Sequence, residues 1–180
     1  MGGVRGGGVP TEPALVFNST PLIYLAKAGL ADKLSLLPFR LTTTRMVYDE
    51  VVVRGTERRV EEAIALRRLF NSGIIEVVEQ VDNEIVVDLR NSGVHHGEAT
   101  VMSLARKLNA IAVIDDRRAR HVAKALGVRL SGTPHVMMQL VRQGLLTKQE
   151  ARHALDKIIE EGWYCSAKSY SEIIRAIDGI

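Results

Sequence analysis

The sequence predicts an α/β protein of three layers, with a central parallel sheet flanked by helices on both faces. Short apolar runs alternate with stretches of helical period, and the connections between them are short. One of the runs, "AIAVI" (Ala110 to Ile114), is apolar on both faces, as central parallel strands are. With 180 residues, 46% hydrophobic and 25% charged, the chain fits one globular domain.

The opening residues 1–13 contain "GGG" and read as a flexible Gly-rich tail, followed by a single domain over 14–180. The tail lacks the cationic and apolar regions of a secretory signal, and Gly6 to Gly8 lack the Gly-Lys-Ser/Thr ending of a phosphate-binding loop. "ALVF" (Ala14 to Phe17) is a short buried strand. In "NSTPLIYLAKAG", Thr20 is the expected helix cap, Pro21 the first helical residue and Gly29 the stop. A short helical piece over Ala31 to Leu37 ends before Pro38, and "RLTTT" is a brief strand. A helix capped by Thr44 is expected over Arg45 to Val53, then another from Glu57 to Phe70.

"IIEVVEQV" (Ile74 to Val81) reads as strand, and "NEIVVDLRNSG" as helix. "GEATVMSLARKLN" spaces Val101, Leu104, Ala105 and Leu108 at the helical period, ahead of the "AIAVI" strand. Ala119, Val122, Ala123 and Leu126 mark a further helix closed by Gly127. "VRLSG" is the last strand, Thr133 and Pro134 open a helix closed by Gly144, and "TKQE" from Thr147 is a capping box for a helix reaching Glu161. A terminal helix is placed over about Ser171 to Ile177.

Composition narrows the function. The single cysteine, Cys165, excludes an internal disulfide framework and a multi-cysteine zinc site, and sets a reducing, cytoplasmic location as the expectation. No apolar run approaches the ~20 residues that span a bilayer, so no membrane partner is expected. A net charge of +3 is compatible with nucleic acid, whereas only 4% aromatic residues argues against a base-stacking platform. Trp163, Tyr164 and Tyr170 are read as packing anchors.

In open parallel sheets, sites lie beyond the carboxyl ends of the strands where chain order reverses. The anomalous polar residues stand there: Asn18 ends the first strand, and Asp115 with Asp116 ends "AIAVI". Glu98 falls in the first turn of its helix near the core-facing edge, because Val101, Met102 and Ala105 follow at three, four and seven residues. Glu50 sits within a short, largely apolar helix between Val47 and Val51. Two bland readings compete: Glu98 as a complement to the helix dipole, and one of the Asp pair as the cap of the next helix.

Up to four acids from three segments would then meet at one sheet edge. At ~5 Å and an effective dielectric of ~20, each like-charged pair repels by about 3 kcal/mol. Such a cluster needs protonation or a cation, and oxygen-only ligands suit Mg²⁺ or Mn²⁺ serving phosphoryl chemistry. Arg117, Arg118 and Arg120 follow closely enough to meet phosphates, although successive helix positions point differently.

At these residues the chain resembles the PIN-domain superfamily of ribonucleases, in its prokaryotic toxin-like, VapC-related branch. The similar segments are "ALVFNSTPLIYLAKAG", "MVYDEVV", "HHGEATVMSLARKL", "AVIDDRRARHVAKALGVRLSGT" and the closing "VRQGLL" to "SEII", nearly the whole chain. The resemblance implies a PIN-like three-layer fold and an acidic pocket holding one or two Mg²⁺ or Mn²⁺ ions, with endonucleolytic cleavage of RNA by water. Its acidic positions fall on Asn18, Glu50, Glu98 and either Asp115 or Asp116. Asp116 is favoured because related chains often carry a neutral residue just before that position. Ser19 and Thr20 match the small hydroxyl residues after the first position, with Thr20, Arg117 and Arg118 expected on the substrate. An antitoxin-like partner protein and a homodimer are implied as well.

Asn18 departs from the aspartate of the family. An amide oxygen can ligate a metal or orient its water but brings no charge, so cation affinity should fall. The alternative is therefore a catalytically impaired module that binds RNA or an antitoxin-like partner. A zinc deaminase, suggested by "HGE" at His96 to Glu98, fails for want of cysteines, and His95 and His96 read as polar residues at a helix start. A phosphorelay receiver fails because its acids belong where Asn18 stands.

Overall fold

The computed structural model describes residues 13–180, except for the side chain of Arg117. The tail assigned to 1–13 thus lies outside the described residues but for its last proline. The first strand, β1 (Ala14–Phe17), is apolar on both faces because both faces are covered, and Leu15, Val16 and Phe17 are wholly buried. It pairs with β2 (Arg40–Thr44) on one side and with β4 (Ile111–Val113) on the other. β3 (Ile75–Val78) extends the sheet beyond β2, and β5 (Arg129–Ser131) extends it beyond β4. Every pairing is parallel, in the order β3-β2-β1-β4-β5. Chain order runs outward from β1 through β2 to β3, then returns to β4 and β5, so the reversal falls between β1 and β4.

Three consecutive threonines in β2 are buried, which their hydroxyls would forbid if left unpaired. Thr43 Oγ1 donates to the Phe17 carbonyl at 2.6 Å and Thr42 Oγ1 to the Glu76 carbonyl at 3.1 Å. Thr44 Oγ1 lies 3.1 Å from Thr100 Oγ1 and also caps the next helix by accepting the Val47 N–H at 3.5 Å.

β1 leads through Asn18 into α1 (Ser19–Lys27), followed by α2 (Ala31–Leu34). β2 runs directly into α3 (Arg45–Tyr48), which continues through a π-helical turn, Asp49–Arg54, into α4 (Gly55–Glu57). Next come α5 (Glu62–Asn71) before β3, and α6 (Asn83–Asn91) with α7 (His96–Lys107) before β4. α8 (Arg117–Ala125) joins β4 to β5, and α9 (Thr133–Arg142), α10 (Lys148–Glu160) and α11 (Ala167–Asp178) complete the chain. α7 lies across β1, β2 and β4 and is buried without interruption from Glu98 to Ala105, as befits a helix covered on several sides. α1 packs against α5, α9 and α10. Helices cover both faces of the sheet, which gives the three-layer α/β/α architecture the sequence predicts.

Some boundaries differ. α1 begins at Ser19 with Asn18 in the cap position, so Thr20 lies inside the first turn, and the Asn18 side chain makes no capping hydrogen bond. The helix expected over Glu57 to Phe70 is broken, because the chain reverses hand at Arg59, a non-glycine residue at φ 58°. The terminal helix starts earlier than Ser171: Ser166 caps it by accepting the Ser169 N–H at 3.2 Å.

Candidate functional site

Asn18 follows β1 and Asp115 and Asp116 follow β4, and adjacent parallel strands end at the same edge. The Asn18 N–H donates to the Val113 carbonyl at 3.0 Å, which fixes the two strand ends against each other. α7 crosses the same edge and delivers Glu98 from its first turn. Together these elements wall a cleft of about 680 Å³, bordered by Asn18, Thr20, Glu98, Asp115, Asp116 and Arg118. Six of the residues singled out in the sequence therefore meet in one place.

Within the cleft the acids are not equivalent. Glu98 is only 8% exposed, and its carboxyl is held above the usual carboxylate range, chiefly by burial and next by repulsion from Asp116. Interaction with His95, including a hydrogen bond from its backbone, offsets part of that rise. Asp116 caps α8, with Oδ1 accepting the Arg118 N–H at 2.7 Å, so the helix-capping reading and the pocket reading hold for the same residue. Asp115 has both oxygens occupied: Oδ1 accepts the Thr133 N–H at 2.7 Å, and Oδ2 accepts Thr133 Oγ1 at 2.7 Å and Trp163 Nε1 at 3.0 Å.

Glu50 does not border the cleft. It is exposed on the π-helical turn, and its Oε2 accepts a 2.6 Å hydrogen bond from Ser19 Oγ, one residue from Asn18. The expectation that Glu50 faces the core assumed α-helical spacing after Val47, whereas the wider π turn re-aims the residues behind it. Arg118 is exposed at the cleft, while the side chain of Arg117 is outside the described residues.

Among the described residues no three Asp, Glu, His or Cys side chains group so as to hold a metal ion by themselves. The oxygen donors that border the cleft include the carboxylates of Glu98 and Asp116 and the amide of Asn18, with the His95 imidazole beside them. Such a set fits a hard cation of the Mg²⁺ type, which keeps several waters and is held by one or two carboxylates together with substrate phosphate.

The PIN-domain family model matches residues 14–179. The chain belongs to the PIN-domain family. No curated protein matches it. Its fold is thus nuclease-like, and PIN domains in general use divalent metal ions. In this PIN domain Asn18 is 92% buried and borders the cleft, so its neutral amide is part of the site wall rather than of the open surface. Among the described residues no helix is long and apolar enough to cross a membrane.

Sequence reasoning missed four residues of the cleft: Tyr24, His95, Trp163 and Tyr164. Tyr24 could have been found, since it lies four residues after Thr20 on one helix face. His95 was read only as a polar residue at a helix start, where it does stand as the cap residue of α7. Trp163 and Tyr164 reach the cleft from the far end of the chain, beyond any spacing rule. Trp163 does pack against the core, but Tyr164 is 78% exposed and is no packing anchor. Tyr170 is tied to Asp156 by a 2.7 Å hydrogen bond.

Proposed function

We propose that this PIN domain is a metal-dependent endoribonuclease of the toxin-like kind, acting in the cytoplasm and weakened by Asn18. The observation that carries the reading is the facing pair Glu98 and Asp116 at the carboxyl edge of β1 and β4. Burial and mutual repulsion make that pair costly unless a cation or proton joins it. Glu98 and Asp116 would hold Mg²⁺ or Mn²⁺, with Asn18 as a weak neutral ligand. When bound, such an ion activates water and neutralises charge on the scissile phosphate.

The chain's own groups do the rest. Asp116 is fixed in direction by the Arg118 N–H, so its second oxygen is presented at a set angle. Arg118 supplies an exposed cation for a phosphate, and Thr20 a hydroxyl for hydrogen bonding at the cleft. Glu50 acts through Ser19 and orients the first turn of α1 beside Asn18.

A second reading is favoured by one observation: Asn18 is neutral, Glu50 is engaged by Ser19 and Asp115 by Thr133 and Trp163, which leaves Glu98 and Asp116 as the cleft carboxylates with the fewest partners of their own. On that reading the protein is an impaired module that binds RNA or an antitoxin-like protein, as a monomer or a homodimer. Cleavage of a labelled RNA in Mn²⁺ separates the two. The nuclease reading expects slow cleavage by the natural chain, at least tenfold faster cleavage by Asn18→Asp, and loss of cleavage in Glu98→Gln. Cleavage indifferent to both substitutions contradicts it, and a tight partner complex without any cleavage supports the module.

A further inference from the structure

Asp115 has both carboxylate oxygens engaged by donors of the chain, and its three donors point to a positioning task. Two of them brace Thr133 at the start of α9, and the third is the indole of Trp163. Gly132 shows how closely the brace is fitted, since a Cβ there would stand 2.7 Å from Asp115 Oδ1. The hydrogen bond therefore fixes where the indole lies, although Trp163 comes from the turn between α10 and α11.

That position is a boundary. Trp163 and Tyr164 border the acidic cleft and also a second cleft of about 790 Å³, formed by residues of α8, β5, α9 and α11. Asp115 is shared by both. Arg120 and Lys168 border the second cleft, are exposed, and make no ion pair among the described residues. Glu172 borders it too, so the charge there is mixed. On the same wall, Ser131 Oγ is buried and has no hydrogen-bond partner among the described residues, a state that native proteins normally relieve with a ligand or water.

Of the chain's three Phe, four Tyr and one Trp, the Trp and two of the Tyr border the acidic cleft. Aromatic faces stack on unpaired bases, and the base pairs of a duplex do not offer theirs. We propose that the two clefts form one path for single-stranded RNA: a base stacks at Trp163 and Tyr164, Arg120 and Lys168 meet the flanking phosphates, and Asp115 is the positioning residue that holds the indole. The inference rests on reading the acidic cleft as the cleavage site, and gives that site its substrate form.

Trp163 is the only tryptophan, so its fluorescence reports on the path directly. The test is a titration of the full chain, in EDTA, with a short single-stranded RNA made uncleavable by 2′-O-methylation. The expected result is saturable quenching, with affinity falling about tenfold in Trp163→Ala when followed by the anisotropy of labelled RNA. Lys168→Ala and Arg120→Ala should each lower the salt slope by about one. Tyr164→Ala and Lys168→Ala alter exposed side chains and carry the test should Trp163→Ala not fold.

Asp115→Asn should shift the Trp163 emission and weaken RNA binding together. An Asp115 that only braced Thr133 would lower the melting temperature and leave emission and RNA affinity unchanged. The path is overturned if Tyr164→Ala and Lys168→Ala bind RNA as the natural chain does, or if blunt duplex binds as tightly as single strand, even where cleavage in Mn²⁺ persists. Binding that follows the expected pattern with no cleavage in Mn²⁺ supports the path and overturns the nuclease reading.

Discussion

Glu98 carries the tension of the site. Its carboxyl is raised above the ordinary range by burial and by Asp116, so the fold favours the protonated acid. Because the folded value exceeds the unfolded one, this contribution to stability is complete below the ordinary carboxylate range. It is lost as pH rises through the raised value. Glu98→Gln, which cannot ionise, should therefore melt higher than the natural chain in EDTA at mildly alkaline pH, by about 2–4 °C for each kcal/mol relieved. The gap should close in acid, and a gap that does not change with pH would show that ionised Glu98 is not under strain. Neighbouring residues divide the labour: both border the cleft, but Asp116 caps a helix, whereas Asp115 is engaged by Thr133 and Trp163. Sequence left those two aspartates as alternatives for one role, because adjacency along the chain does not tell which oxygens find donors.

At the scale of elements, legibility follows how local the signal is. The capping box at Thr147 is present with both of its hydrogen bonds, Thr147 Oγ1 accepting the Glu150 N–H at 3.1 Å and Glu150 Oε2 accepting the Thr147 N–H at 2.7 Å. Thr147→Ala should destabilise the fold by about 1 kcal/mol in denaturant unfolding, and Thr147→Asn by much less. Equal losses for the two would mean that capping is not what Thr147 provides. The period of α7 and the apolar run of β4 were readable for the same reason, since helix and strand spacing is written in a few adjacent residues. Where the chain departs from a regular period, reading failed. No residue type announces the π turn at Asp49–Arg54 or the left-handed Arg59, and both displaced expectations about that stretch, Glu50 included. Ser166 was a readable cap passed over for the later Ser171, because the apolar stripe of α11 is clearer in its second half.

The whole molecule supplies what no segment contains. Parallel pairing in the order β3-β2-β1-β4-β5 sets the ends of β1 and β4 side by side, and α7 crossing that edge adds Glu98. The convergence of Asn18, Glu98 and Asp116 could be inferred from the alternation of strands and helices, since that alternation nearly dictates the topology. The aromatic wall could not, as Trp163 is placed by a hydrogen bond across 48 positions and by the docking of the last helices. Lys27 of α1 pairs with Glu161 at 2.8 Å, and Lys148 Nζ donates to the Asp178 carbonyl at 2.7 Å, tying the C-terminal part to the rest and to itself. A low aromatic content spread evenly would support no stacking surface, yet folding brings three of the eight aromatic residues to one cleft.

The central claim is that the edge of β1 and β4 binds a hard cation through Glu98 and Asp116, with an affinity reduced by the amide of Asn18. Calorimetric titration of Mn²⁺ into the natural chain, Asn18→Asp and Glu98→Gln tests it without reference to any substrate. The account predicts weak saturable binding by the natural chain, at least tenfold tighter binding by Asn18→Asp, and none by Glu98→Gln in the same concentration range. Equal Mn²⁺ affinity in all three proteins would contradict it.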